Sequence, residues 1–198
     1  MTDALGAIRA GKPVILPTDT VYGLVASALT EAAVLRLYEA KGRDLRQPSA
    51  LLAPDLEGLF DCLPELRGRP AAIVRALLPG PYTLILPNPA HHFRRLTGGS
   101  PDAIGVRVPE LPEQTRGILV LAGCVVATSA NLPGGAEPRR IDEIPAELLE
   151  RVAAVVDGGE LPGVPSTVID FSGHEPRVVR EGAAPSADAI GRAAAALA

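Results

Sequence analysis

The 198-residue chain has no tryptophan, one methionine and aromatics at only 3%, so it lacks the ring surfaces on which single-stranded nucleic acid stacks. Lysine is nearly absent. Of 19 basic side chains, Lys12 and Lys41 are the lysines and the rest are arginines. With 23 acidic residues and a formal charge of −4, net charge gives no drive toward a polyanion, and phosphate recognition would need a local arginine cluster. No apolar run approaches the roughly 20 residues of a membrane-spanning helix. The first residues lack the basic start and apolar block of a signal peptide, so no membrane is expected and the cytoplasm is the expected compartment. The two cysteines, Cys62 and Cys124, form no Cys-x-x-Cys and have no His pair nearby, which argues against a zinc site and a disulfide framework and predicts buried free thiols. Three familiar motifs are also missing: Gly-x-x-x-x-Gly-Lys-Ser/Thr, Gly-x-Gly-x-x-Gly after a strand, and the Gly-x-Ser-x-Gly elbow.

What is present is an ordinary globular composition, 47% hydrophobic and 21% charged, enough for one domain over 1–198 with a full core. Thr2 can cap a short helix that ends near Gly11. A strand over 13–16 follows, then an extended segment over 23–27. From Thr30 a helix places Val34, Leu37, Tyr38 and Lys41 at i, i+3, i+4 and i+7, and Gly42 ends it. Further strands are predicted over 49–53, 82–86, 104–108, 124–127, 153–156, 168–171 and 177–180. Helices are predicted over 54–63, 70–78 and 113–123, over 146–149 with Asp142 as cap, and from Ala187 onward. The polar stretch 87–102, with His91 and His92 pointing apart at the surface, has the length of a mobile lid. Strands alternating with helices make an α/β protein with one twisted sheet and helices packed on it.

Polar groups recur just after the strands. Thr18, Asp19 and Thr20 fall past a strand's carboxyl end, where open α/β sheets bind ligands; an Asx or ST turn that satisfies only its own backbone is the other reading. Thr128, Ser129 and Asn131 repeat that layout before the flexible Pro133, Gly134 and Gly135, and Ser166 stands at the start of a third strand. The cations Lys41, Arg43, Arg107 and Arg180 complete a set that suits an anionic, hydroxyl-bearing ligand better than a nucleophilic triad. Capping by Lys41 of its own helix terminus remains open.

Taken together these pieces resemble the YrdC/TsaC family of threonylcarbamoyl-AMP synthases. The matching blocks are 17–24 (Pro-Thr-Asp-Thr-Val-Tyr-Gly-Leu), Lys41-Gly42-Arg43, 79–83, 106–109, 128–131, 165–168 and Arg180-Glu181-Gly182, in family order over nearly the whole chain. The resemblance implies a YrdC-like, mostly mixed, twisted β-sheet with a concave ligand-binding face. It implies formation of threonylcarbamoyl-AMP and pyrophosphate from L-threonine, bicarbonate or CO2, and ATP with Mg2+, for tRNA modification by a downstream threonylcarbamoyl transferase complex. Carried over by position, Lys41 and Arg43 face the triphosphate as catalytic groups, and Ser129, Asn131 and Arg180 hold the nucleotide. Thr20, Arg107 and Ser166 take the threonine, and no protein-borne metal site is implied.

Three positions depart from the family pattern: apolar Leu51 and Leu52 where many relatives are polar, Ala103 where Thr is common, and Glu137 where some relatives have a nucleotide-contacting Ser. The chain stops soon after Gly182, as the short family form does. Two other functions stay in view. One is a double-stranded RNA or tRNA-binding module, with a basic concavity of Arg43, Arg46, Arg94, Arg95, Arg139 and Arg140 read by shape and phosphate. The other is a paralogue with altered substrate choice, suggested by Leu52 and Ala103.

Overall fold

Burial that alternates along the strands decides which face of the sheet is core and which is left for a ligand. The computed structural model describes residues 2–198, with the backbone alone at Thr2; the cap expected of the Thr2 side chain lies outside the described residues. Eight strands, β1 (Val14–Pro17), β2 (Tyr22–Ser27), β3 (Ala50–Leu52), β4 (Tyr82–Pro87), β5 (Ala103–Arg107), β6 (Val125–Ser129), β7 (Thr167–Asp170) and β8 (Arg177–Arg180), form one sheet in the order β1-β2-β6-β3-β5-β4-β7-β8. The pairs β3/β5 and β4/β7 are parallel and the other neighbouring pairs antiparallel. The expected mixed α/β sheet is therefore the observed one.

The helices are α1 (Thr2–Arg9), α2 (Glu31–Lys41), α3 (Leu56–Cys62), α4 (Arg69–Leu77), α5 (Glu113–Ala122), α6 (Ala146–Leu149) and α7 (Ser186–Ala195). On one face Leu24, Leu51, Leu84, Val106 and Ile169 from successive strands join apolar side chains of α2, α3, α4 and α7 in one cluster. Each such fully buried aliphatic side chain contributes about 1.5–3 kcal/mol. On the other face Val14, Leu16, Val25, Leu52 and Val125 pack against α1 and α5. That second cover includes no residue of β4, β5, β7 or β8. In β4 the consequence is visible residue by residue: Tyr82, Leu84 and Leu86 are buried, whereas Thr83 and Ile85 are only half-buried and look onto a cavity.

Local signals place α2 where the sequence predicts it. Thr30 Oγ1 accepts from the Ala33 N–H at the amino end, and Gly42, at φ 66°, donates its N–H to the Glu39 carbonyl at the other. That left-handed conformation suits glycine and leaves Lys41 in the last turn.

Three expectations need correction. Residues 153–156 are not a strand of the sheet; they run beside β1 through a single bridge, Ile15 to Val155. Asp142 does not cap α6: it lies in a short 3-10 turn, Ile141–Glu143, and pairs with Arg140, while Pro145 precedes the helix. The stretch 87–102 is irregular and partly exposed, and it carries internal hydrogen bonds. Asn88, fully buried, donates through Nδ2 to the His92 and Pro101 carbonyls, and the 3-10 turn Arg94–Leu96 buries Leu96. Cys62 and Cys124 are not free thiols but a disulfide across 62 residues of sequence, because α3 folds back onto the start of β6, which spacing does not reveal. Among the described residues no helix is long and apolar enough to cross a membrane.

Candidate active site

The half of the sheet left uncovered by α1 and α5 forms the floor of a cavity of about 850 Å³, within the 300–1,000 Å³ range of small-molecule sites. Small residues keep the floor low: Gly23, Ala50, Ala103, Gly105 and Ala127 all line it. Larger polar groups stand around it.

Of the eight residues singled out in the sequence, Arg43, Arg107, Ser129, Ser166 and Arg180 lie in the cavity wall. Thr20, Lys41 and Asn131 do not; they are buried one layer behind, at 0%, 2% and 7% exposure. Each is tied to a wall residue. Arg107 Nη2 donates to Thr20 Oγ1 at 2.6 Å, Lys41 Nζ donates to the Ser129 carbonyl at 2.6 Å and to Asn131 Oδ1, and Ser129 Oγ donates to Asn131 Oδ1 at 2.7 Å. The turn that holds Thr20 is self-satisfied in the manner of an ST turn: Thr18 Oγ1 donates to the Val21 carbonyl at 2.7 Å and meets Thr20 Oγ1 at 3.2 Å. Here the turn and the pocket are the same structure.

Asp19 is the site residue that spacing left without a role. It forms an ion pair with Arg107, from β5, and accepts from the Glu110 N–H. Burial pushes the Asp19 carboxyl up and Arg107 opposes that shift, while burial pushes Arg107 down against the pull of Asp19. The Arg107 Nε is buried with no hydrogen-bond partner, and so is the Arg43 Nε. Buried donors normally find partners, so these two N–H groups are unsatisfied donors beside the cavity. Thr83 was likewise part of a matching block without an assigned role. Its Oγ1 meets Ser166 Oγ at 2.8 Å, and the period-2 pattern of β4 was the available signal. Arg180 clamps the same serine, donating through Nε and Nη2 to the Ser166 carbonyl at 3.1 and 2.8 Å.

Burial lowers the Lys41 ammonium to about 8; Glu137 opposes that shift and Arg43 adds to it. Burial also lowers Arg180, again opposed by Glu137. The wall is thus rich in partly desolvated cations, a setting in which charge–charge contacts with an anionic ligand are strengthened. Among the described residues no three His, Cys, Asp or Glu side chains gather as a metal site.

The arginines considered for RNA are differently placed. Arg46, Arg95, Arg139 and Arg140 are exposed and paired with Asp44, Glu31, Glu160 and Asp142, so much of their charge is met by neighbouring carboxylates.

Comparison with known proteins gives a consistent picture. The family model Sua5_yciO_yrdC, described as telomere recombination, matches residues 6–182. The chain is 37% identical over 183 residues to the threonylcarbamoyl-AMP synthase of Pyrococcus abyssi, covering 92% of this chain and 54% of that protein. It superposes on the crystal structure of P. abyssi Sua5 complexed with L-threonine with a TM-score of 0.85 and 36% identity, over 96% of this chain and 56% of the other. E. coli YciO superposes with a TM-score of 0.79 and 29% identity, covering 92% and 88%. The chain spans about half the length of the first curated relatives it matches.

Proposed function

The chain belongs to the Sua5/YciO/YrdC family, and from that premise we propose that it is an L-threonylcarbamoyladenylate synthase. The observation that carries this reading is the convergence of Arg43, Arg107 and Arg180 with Ser129 and Ser166, from five separate segments, on one cavity. Its volume suits a nucleotide with a small amino acid beside it.

In this reading the threonine amine takes up CO2, from bicarbonate, and loses a proton to become a carbamate. A carbamate oxygen then attacks the α-phosphorus of ATP, forming the P–O bond of threonylcarbamoyl-AMP as the bond to pyrophosphate breaks. No covalent enzyme intermediate is needed; positioning and charge neutralisation supply the catalysis. Arg107 is the residue assigned to the threonine carboxylate, with Thr20 holding the guanidinium and Ser166 beside it. Arg43, Arg180 and Lys41 neutralise the phosphates, and Ser129 with Asn131 orients the nucleotide. Magnesium enters as part of the ATP substrate, carried by its phosphates. The product is assigned to tRNA modification in the cytoplasm through a downstream threonylcarbamoyl transferase.

The test is ATP-to-pyrophosphate turnover measured with and without threonine and bicarbonate. Turnover should require both, and Lys41→Ala and Ser129→Ala should each lower it by about tenfold or more. Turnover indifferent to threonine, in folded protein, would reject the assignment, and equal rates with serine would favour a paralogue of broader substrate choice.

A further inference from the structure

Three carboxylates line the cavity: Asp102 and Asp170 are paired with His91 and Arg177, and Glu137 forms no ion pair among the described residues. Glu137 lies in the coil after β6 and lines the cavity, and its Oε2 is buried with no hydrogen-bond partner. A buried carboxylate oxygen ordinarily finds a donor, so this one faces something other than its own backbone. Its charge acts on two cations from distant parts of the chain, raising the proton affinity of Lys41, at the end of α2, and of Arg180, at the end of β8. The segment that carries it is fixed on both sides. Asn131 Nδ2 donates to the Gly135 carbonyl at 2.6 Å, Pro138 is buried, and the Arg139 N–H donates to Glu143 at 2.7 Å. Glu137 thus shares the cavity wall with Arg43 and Arg180, on a segment tied down on both sides.

We propose that Glu137 is a built-in counter-anion of the phosphate subsite, competing with a bound nucleotide or pyrophosphate for the charge of Lys41 and Arg180. The inference rests on the reading of the cavity as a nucleotide site and adds to it a residue that sets the affinity for anions. A pocket with several partly desolvated cations and no competing anion would hold pyrophosphate tightly and release it slowly. A fixed carboxylate within the field of two of those cations weakens every anionic state of the ligand by a similar amount and favours departure of the product. A role as metal ligand is the rival account. It fits less well, because the cations already acting on Glu137 repel a divalent ion, and among the described residues no cluster of three ligating side chains forms.

The experiment is calorimetric titration of the whole chain and its Glu137→Gln variant with inorganic pyrophosphate, once in chelator and once with excess Mg2+. Glutamine keeps the shape and removes the charge. Pyrophosphate should bind the variant about tenfold tighter in both conditions, the scale expected for one charge roughly 12 Å away at an effective dielectric of about 20. Glu137→Asp, which keeps the charge, should stay close to wild type and thereby separates charge from packing. Equal affinities for wild type and Glu137→Gln would overturn the proposal while leaving the nucleotide reading intact. Weaker binding by the variant only with Mg2+ would overturn it in favour of a metal ligand. Failure of every form to bind pyrophosphate or ATP would overturn the nucleotide reading itself.

Discussion

Arg107 and Asp19 form an ion pair with each side chain only about one-tenth exposed, 10% and 11%. The pair joins the turn after β1 to β5 across 88 residues of sequence, so it locks the polar wall of the cavity as well as orienting the guanidinium. Removing one partner of a buried pair strands the other charge, which typically costs about 3–5 kcal/mol. Asp19→Ala is therefore expected to lower stability by that amount, and Asp19→Ala with Arg107→Met by less than the two single changes together. Urea denaturation of the three variants measures the coupling; additive losses would show that the contact carries no stability.

Lys41 supplies a pH dependence. Its ammonium titrates at about 8 in the folded protein, so the positive charge offered to phosphate is lost as pH rises through that value. Affinity for Mg·ATP should fall between pH 7 and 9.5. Lys41→Arg, whose guanidinium stays charged, should remove the fall even if it changes the absolute affinity. Stability moves the other way. The folded pKa lies below the unfolded one, so between about 8 and about 10.4 the unfolded chain binds more protons and the folded state gains with rising pH, by about 3 kcal/mol across the window. Lys41→Met should lack that gain in denaturation curves taken at pH 7 and pH 10.

How far the sequence could be read depended on whether the relevant physics was local. The Thr30 cap and the Gly42 stop are decided by neighbours in the chain, and both stand as expected. The ion pair of Asp19 with Arg107, the Cys62–Cys124 bond and the burial of Thr20, Lys41 and Asn131 behind the wall depend on which strands lie side by side. Spacing carries no record of that order. The segment 153–156 misled for a related reason: its apolar character is strand-like, but only Val155 reaches a bridge, at the outer edge of β1.

The cysteine pair closes a loop of 62 residues. Constraining a loop of that length in the unfolded chain can contribute up to about 4 kcal/mol. Thiol titration of the denatured, unreduced protein should find no free thiols, and reduction should shift the urea midpoint down. Cys124→Ala should show the lower midpoint with or without reductant. A midpoint unchanged by reduction in the wild type would show that the disulfide contributes no net stability.

Gly182 tests whether the wall around Ser166 must stay where it is. A Cβ at this position would lie 2.2 Å from the Pro165 carbonyl oxygen and 2.6 Å from that of Ser166, closer than side chains approach backbone, so the segment 165–166 has to move. Arg180 hydrogen-bonds the same Ser166 carbonyl, and the displacement therefore passes to a cation of the proposed phosphate subsite. Gly182→Ala should lower stability by about 1–3 kcal/mol, as overpacking does, and weaken ATP binding by about tenfold. Gly117→Ala is the control, because a Cβ there meets nothing within 4 Å on the exposed side of α5; it should be neutral or stabilising by up to about 1 kcal/mol and leave binding unchanged. If Gly182→Ala lost stability but bound ATP normally, the Ser166–Arg180 clamp would be structural and Arg180 would have no part in holding the nucleotide.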